Sequence, residues 1–398
     1  MCSLYGAGFF YIPGTDTCIK IGGYLRADTT FNGGAHGAPA WSGDLGQQNR
    51  YFDYFLSRSR LALTVDTRTA TEYGVVRTFG QGDFQFNNAG SSNPNTLTNF
   101  PSAATNALMV PGGGYVAVEY LFIQFAGFTF GKSSSAYSTP WNGFPGNISS
   151  SLLGGNNTDT GVNNIQYTAE FGNGVSASIG LDDPTVWNRT AVNNLSIPGA
   201  IGANGTGSNA YAGTHAPDIV GRIRVDQAWG LFQVSAAAHE VSGSYNTLDA
   251  GANPNNLSEI SGHPETKWGG SVMAGLNIKN LPTGAGDDIK IDASYAKGTT
   301  KNVIATSGTS PSFAMFGDSG FAYQSVGFGA TTDGVYFPGA AGTGGIKLTT
   351  AWGVRGAFNH NWDPYWSSSL FGSYSAVRYD GGTNDNLLGA GTTTAKGA

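Results

Sequence analysis

Arginine recurs at a spacing of two in this chain, as Arg58 and Arg60 in "SRSRLALTV" and as Arg222 and Arg224 in "GRIRVD". In an extended segment, residues two apart share a face. Each pair would then line one surface with charge, a chemistry of selecting ions rather than of making bonds. Candidates for bond-making are weaker. His36, His215, His239, His263 and His360 show no metal-ligand spacing, so no metal site is expected. Asp182 with Asp183, and Asp287 with Asp288, are adjacent carboxylates. Neighbours on a strand point to opposite faces, so they read as solvated strand ends rather than an acid/base pair or a calcium site. "GAGDD" lacks the helix that a phosphate-cradling glycine turn needs. Ser235 and His239 are the one Ser/His combination at even spacing that could serve a hydrolase. Asn147, Asn188, Asn194, Asn204 and Asn256 begin Asn-x-Ser/Thr triplets, expected by chance in loops rich in all three types.

The elements that would position the arginines are strands. "KIGGYLRAD" sets Ile19, Ile21, Leu25 and Ala27 against Lys20, Tyr24, Arg26 and Asp28. "DIVGRIRVD" alternates Ile219, Ile223 and Val225 with Arg222, Arg224 and Asp226. "KWGGSVMAGLNIK" and "IKLTTAWGVRGAFN" repeat the pattern, the second setting Ile346, Leu348, Trp352, Val354 and Phe358 against Lys347, Thr349, Arg355 and Asn359. Period two means strand. Turn signals delimit about thirteen strands, near 19–31, 51–66, 71–86, 115–125, 128–136, 164–170, 175–183, 218–227, 231–242, 267–279, 288–298, 346–360 and 367–380. Short connections alternate with long ones rich in Gly, Asn, Ser and Thr, as in an outer-membrane barrel. No fixed-period repeat supports a propeller, a β-helix or a repetitive adhesin.

Composition agrees. Charged residues are 12% of the 398 positions, about half the usual share, yet mean hydropathy is only -0.17 because Gly, Ser, Thr and Asn carry the polarity. Net charge of -6 and the lack of a clustered Lys/Arg patch argue against a nucleic-acid partner. No apolar run is long enough for a transmembrane helix. A cation facing lipid at mid-membrane costs roughly 2–4 kcal/mol, so Arg58, Arg60, Arg222, Arg224, Lys290, Lys347 and Arg355 should face a watery interior, with Lys20, Arg26, Asp28 and Asp292 beside them. Asp182 and Asp226 are expected on the same face, leaving it nearly balanced in charge. Tyr51, Trp229, Trp268, Trp362 and Trp366 fall at strand ends, where interfacial aromatics belong. Cys2 and Cys18, the only cysteines, suit a disulfide in an oxidising compartment, with two free cytosolic thiols as the alternative. An exported protein would have lost its signal peptide from this sequence.

The stretches "GAGFFYIPGTDTCIKIGGYLR", "SRSRLALTVDTRTATEYG", "FIQFAGFTFGK" and "NNIQYTAEFGNGVSASIGLDD" together resemble the outer-membrane general porins of alphaproteobacteria. The resemblance covers essentially the whole chain, with the long loops matching in position only. It implies an all-β transmembrane antiparallel β-barrel of 16 strands, assembled as a homotrimer in outer-membrane lipid, through which small hydrophilic solutes and ions diffuse without cofactor or catalysis. It also implies that the third long connection, about 137–163, folds inward as a constriction, with Tyr137, Trp141 and Asp159 as candidates there. Asp159 is the only acid in it. That departs from the charge-opposed constriction of the family and removes the basis for a cation preference. Thirteen strands are too few to close such a barrel, so one domain spanning 1–398 and lacking about three C-terminal strands is expected. A specific-solute channel or a barrel enzyme is the alternative on the same architecture.

Overall fold

The computed structural model describes residues 2–31, 55–87, 115–141, 143–146, 152–156, 160–185, 189–195, 209–247, 262–304, 313–314, 328–329, 332–338, 344–379 and 394–397. Tyr51, His36, Asp159 and much of the expected C-terminal loop lie outside them. The chain divides into two units, Met1–Ser134 with Thr160–Tyr167, and Ser135–Asp159 with Thr168–Ala398.

The first unit is an antiparallel meander of β1 (Thr17–Phe31), β2 (Phe55–Thr71), β3 (Gly74–Asn87), β4 (Tyr115–Phe125), β5 (Phe128–Ser133) and the first part of β6 (Val162–Gly172), each paired with its sequence neighbour. The second continues with the rest of β6, then β7 (Val175–Asp182), β8 (Asp218–Gln227), β9 (Gly230–Val241), β10 (Lys267–Lys279), β11 (Asp288–Lys297), β12 (Thr350–Asn361) and β13 (Ser367–Arg378). Neighbours from β7 onward pair antiparallel, and the short strand Thr394–Gly397 adds to β13. All thirteen expected strands are present, most within two residues of their expected ends. No helix of the described residues is long and apolar enough to cross a membrane.

Turn chemistry sets the registers. Ala126 (φ 50°) and Gly127 (φ 85°) both adopt positive φ, as do Asn173 (φ 49°) and Gly174 (φ 72°). Two consecutive positive φ values match the right-handed twist of a two-residue hairpin, which favours Gly and Asn there. The hairpin in "FIQFAGFTFGK" is therefore closed by Ala126 and Gly127, with Phe125 opposite Phe128 and Ile123 opposite Phe130.

Polarity is inverted relative to a water-soluble sheet. Leu25, Leu121, Ile179 and Ile223 are 82%, 62%, 62% and 62% exposed, while Asp83, Gln233, Asp292 and Arg355 are completely buried. The apolar alternates point to solvent and the polar alternates pack together, which only lipid on the outside would favour.

One expected strand is divided. Lys347–Leu348 is a separate two-residue strand paired with Thr332–Tyr336, and Thr349 interrupts it before β12 begins. Buried positions shift phase across that break, with Ile346 and Leu348 on one side and Ala351 and Arg355 on the other. Lys347 is exposed on this outlying strand and does not share the β12 face of Arg355 as expected. The physical reason is an apolar cluster of Val192, Ala210, Val241, Tyr336, Ile346 and Leu348, which turns these side chains away from lipid.

The longest of the short connections, 280–287, is clasped to the end of β12. Buried Asp287 accepts from the Thr283 hydroxyl (2.6 Å) and the Asn361 N–H (2.9 Å), and pairs with His360 Nδ1 (2.7 Å). The Thr283 hydrogen bond first, then those of Asn361 and His360, outweigh burial and bring its carboxyl down to about 2. A depressed folded-state pKa gives stability that is complete above the ordinary value near 3.8 and is lost as pH falls toward 2. Amide exchange of 280–287, corrected for intrinsic rates, should accelerate over that window in the wild type. In Asp287→Asn it should be fast already at pH 5.

Candidate functional site

The inner face of the first unit carries a ladder of ion pairs. Arg26 Nε lies 2.8 Å and Arg58 Nε 2.6 Å from the Asp28 carboxylate. Arg60 reaches Asp83 (2.8 Å) and donates through Nε to Gln85 (2.7 Å). Lower on the same strands, Asp66 pairs with Arg68 (3.0 Å) and Arg77 (2.9 Å), and Arg77 also donates to Gln124 (2.9 Å). Register explains the pairing. Asp28 stands opposite Arg58, and Arg60 stands opposite both Arg26 and Gln85. Cross-strand partners share a face, so alternation alone brings these charges into contact. Arg58 and Arg60 are thus held by acids and by a neighbouring amide in fixed orientations.

In the second unit Arg222 donates to the Ser178 hydroxyl (3.1 Å), and among the described residues it has no carboxylate at ion-pair distance. Arg224 and Lys279 share Asp226, at 2.9 and 3.3 Å. Lys290 pairs with Asp288 at 3.5 Å.

Residues 135–141, 143–146 and 152–156, the described parts of this stretch of the expected constriction, lie along the inner face of this unit. Tyr137 is 2% exposed and packs with Ala136, Val220 and Met273, and burial keeps its phenol neutral well above its ordinary pKa. Gln233 Nε2 donates to the Ser138 carbonyl (2.7 Å), and Asn359 donates to the Pro145 carbonyl (3.3 Å). Gly275 leaves room for Pro140, whose Cδ would be 3.0 Å from a Cβ placed there, with the Trp141 ring 3.7 Å away. Arg355 and Asp292 form a fully buried pair at 3.0 Å, and Arg355 Nη2 donates to the Asn156 carbonyl (3.1 Å). A Cβ on Gly155 would stand 2.3 Å from Asp292 Oδ1 and 2.5 Å from Arg355 Nε. Arg355 and Asp292, expected as water-facing lining, are instead covered by this segment and hold it to the wall. Asn156 and Asn302 bond side chain to side chain (3.2 Å), and Asn302 continues to Ser271 (2.7 Å).

Above them, parts of three long connections fold together. Ala191–Asn194 pairs parallel with Thr332–Tyr336 over the apolar cluster. Beneath it Lys301 reaches Asp218 (2.6 Å), whose other oxygen meets His239 Nδ1. His239 Nε2 meets the Tyr211 hydroxyl, which donates to Asp333 (2.9 Å). Asp333 also accepts from the backbone N–H groups of Thr190 (3.1 Å) and Thr300 (2.7 Å). Burial, reinforced by Asp333, holds the Tyr211 phenol well above its ordinary pKa. Both nitrogens of His239 are engaged in this network, while Ser235 accepts from Gln233 (2.9 Å). Four residues along one strand separate them, about 13 Å, so these two side chains do not meet as nucleophile and base. Cys2 and Cys18 are disulfide-bonded. No group of three or more potential metal ligands occurs among the described residues.

A family model described as "Porin subfamily" matches residues 1–395. The chain belongs to that porin subfamily. Relatives include the porin Omp2b of Brucella canis, 28% identical over 238 residues, 58% of this chain and 53% of that protein. Omp2b of Brucella suis biovar 1 is 29% identical over the same shares. The chain spans about half the length of the curated relatives it matches. Among solved structures, Salmonella typhi OmpF in complex with daunomycin aligns over 97% of this chain and 84% of its own, at 11% identity and TM-score 0.43. A Rh. blastica porin mutant aligns over 95% and 97%, at 10% identity and TM-score 0.37. As a member of the subfamily, the porin chain is an outer-membrane protein of transmembrane β-barrel class.

Sequence alternation located Arg26, Asp28, Arg58, Arg60, Arg222, Arg224 and Lys290 on their strands. It missed Asp83 and Gln85, although "GQGDFQF" carries the same period, and it missed Asp66, Arg68 and Arg77. Nothing local in the sequence pointed to Lys301, Asp333 or Tyr211, which come from long connections.

Removing Arg355 would leave Asp292 buried without its partner, a loss of about 3–5 kcal/mol. Arg355→Ala should lower the urea midpoint of the refolded porin. Gly155→Ala should speed amide exchange across 152–156 and spare β8; exchange unchanged in both segments would refute the anchoring role.

Proposed function

We propose that this porin forms a water-filled channel for passive diffusion of ions and small hydrophilic solutes, working as a homotrimer and carrying out no covalent chemistry. The observation that carries the reading is the inverted polarity of the strands, with apolar alternates exposed and charged alternates paired on the other face. A hydrated ion crossing a low-dielectric layer needs a continuous polar wall, and the ladder of arginines and aspartates supplies one. Lining charges in pairs attract neither sign strongly, so selectivity is weak. Passage depends on width and on the few cations that pairing leaves over, Arg222 among them. Residues 135–141, 143–146 and 152–156 against the inner wall reduce that width with no acidic side chain among them. The outward residues Val116, Val118, Leu121, Phe128 and Phe130 offer an apolar surface suited to a neighbouring copy.

Full-length protein reconstituted in planar bilayers under a KCl gradient should give stepwise currents in groups of three. Replacing Arg58 and Arg60 together by Ala should shift the reversal potential toward that of potassium. A shift of zero would remove these arginines from the conduction path.

A further inference from the structure

Residues 2–16 lie beside the short-turn end of β1 and β2, closed by the Cys2–Cys18 disulfide and by Phe10–Tyr11 pairing with β1. Their Phe9 ring sits beneath two cations of the inner face, 5.9 Å from Lys20 Nζ and 5.8 Å from Arg68 Cζ. Arg77 stands next to them, backed by the rings of Phe79 (5.2 Å) and Phe122 (5.4 Å). Among the described residues one carboxylate, Asp66, stands at ion-pair distance of the cluster, and both its oxygens are taken by Arg68 and Arg77. Lys20 stands opposite Asp66 in the register, yet among the described residues it has no carboxylate at ion-pair distance. Elsewhere on this face of the first unit, Arg60 has Asp83, and Arg26 with Arg58 share Asp28. The Lys20 cluster holds three cations to one acid, against three to two in that group.

The geometry points to a second specificity-determining site, at the short-turn end of the inner face, that draws small anions such as chloride, inorganic phosphate or carboxylates into transient contact with Lys20, Arg68 and Arg77. Arg68 lies eight residues along β2 from Arg60, about 26 Å, beyond a Debye length of roughly 8 Å in physiological salt. The two sites therefore act separately. Each of Arg68 and Arg77 is held by Asp66 on one side and by aromatic faces on the other, which fixes the orientation of both guanidinium groups. Phe9 does this for Lys20 and Arg68 only because the disulfide-closed segment carries it there, so that segment is the positioning device.

This inference rests on the channel reading, and one set of recordings separates the two. Full-length wild type, Lys20→Gln/Arg68→Gln, Asp66→Asn and Phe9→Ala are compared in planar bilayers under a KCl gradient, then with potassium phosphate as the probe. Lys20→Gln/Arg68→Gln should move the reversal potential toward that of potassium and Asp66→Asn should move it the opposite way. Phe9→Ala should follow the double variant with a smaller shift, and every shift should shrink at molar salt. A conducting wild type with unchanged reversal potential in the Lys20→Gln/Arg68→Gln and Asp66→Asn channels overturns the site and leaves the channel reading intact. A folded wild type that passes no current overturns both.

Discussion

A bilayer interior gives no hydrogen-bond partner to a backbone N–H or C=O, and every other feature of this porin follows from that constraint. Strands satisfy it by pairing with their neighbours, as consecutive strands do within each unit. Once the backbone is committed to strands, side chains must alternate between two environments. Lipid takes Leu25, Leu121, Ile179 and Ile223, and the opposite face takes every charge the chain can afford. A sequence with 12% charged residues is sufficient because the paired strand charges collect on one face, while others such as Asp287, Lys301 and Asp333 lie in connections.

Concentrating charge on one face creates a second requirement, since buried charges are tolerated only when matched. Cross-strand register meets it in the first unit, where Asp28, Asp66 and Asp83 are each set between or beside arginines. In the second unit loop segments meet it. The Asp292–Arg355 pair is covered by Gly155 and Asn156, and Asp218 and Asp333 are satisfied by Lys301, His239, Tyr211 and the Thr190 and Thr300 amides. The same contacts that neutralise the wall hold the connections in place, which ties the shape of the inner surface to its electrostatics. In the channel proposed for this chain, selectivity would then rest on the exceptions, the cations that matching leaves over.

The strands were legible because two-residue periodicity is a local signal and survives any tertiary arrangement. The wall arginines were legible for the same reason, and Asp83 and Gln85 could have been. What stayed hidden depends on contacts between residues far apart in the chain. The phase shift at Thr349 reflects apolar packing with Val192 and Tyr336, more than 150 and more than ten residues away respectively. The burial of Arg355 depends on Gly155, whose missing side chain has no distinguishing mark in a sequence with 61 glycines. Lys301 and Asp333 sit in Gly- and Thr-rich connections where no period exists to assign a face.

The central claim, that alternate residues of one strand meet lipid and water, is tested most directly by spin labels placed singly along 219–226 of β8 in liposomes. Collision with oxygen, which partitions into lipid, is compared with collision with a water-soluble nickel chelate. The account predicts a period of two, with oxygen maxima at 219, 223 and 225 and nickel maxima at 222 and 224. Equal accessibility of 222 and 223 to both probes would contradict it.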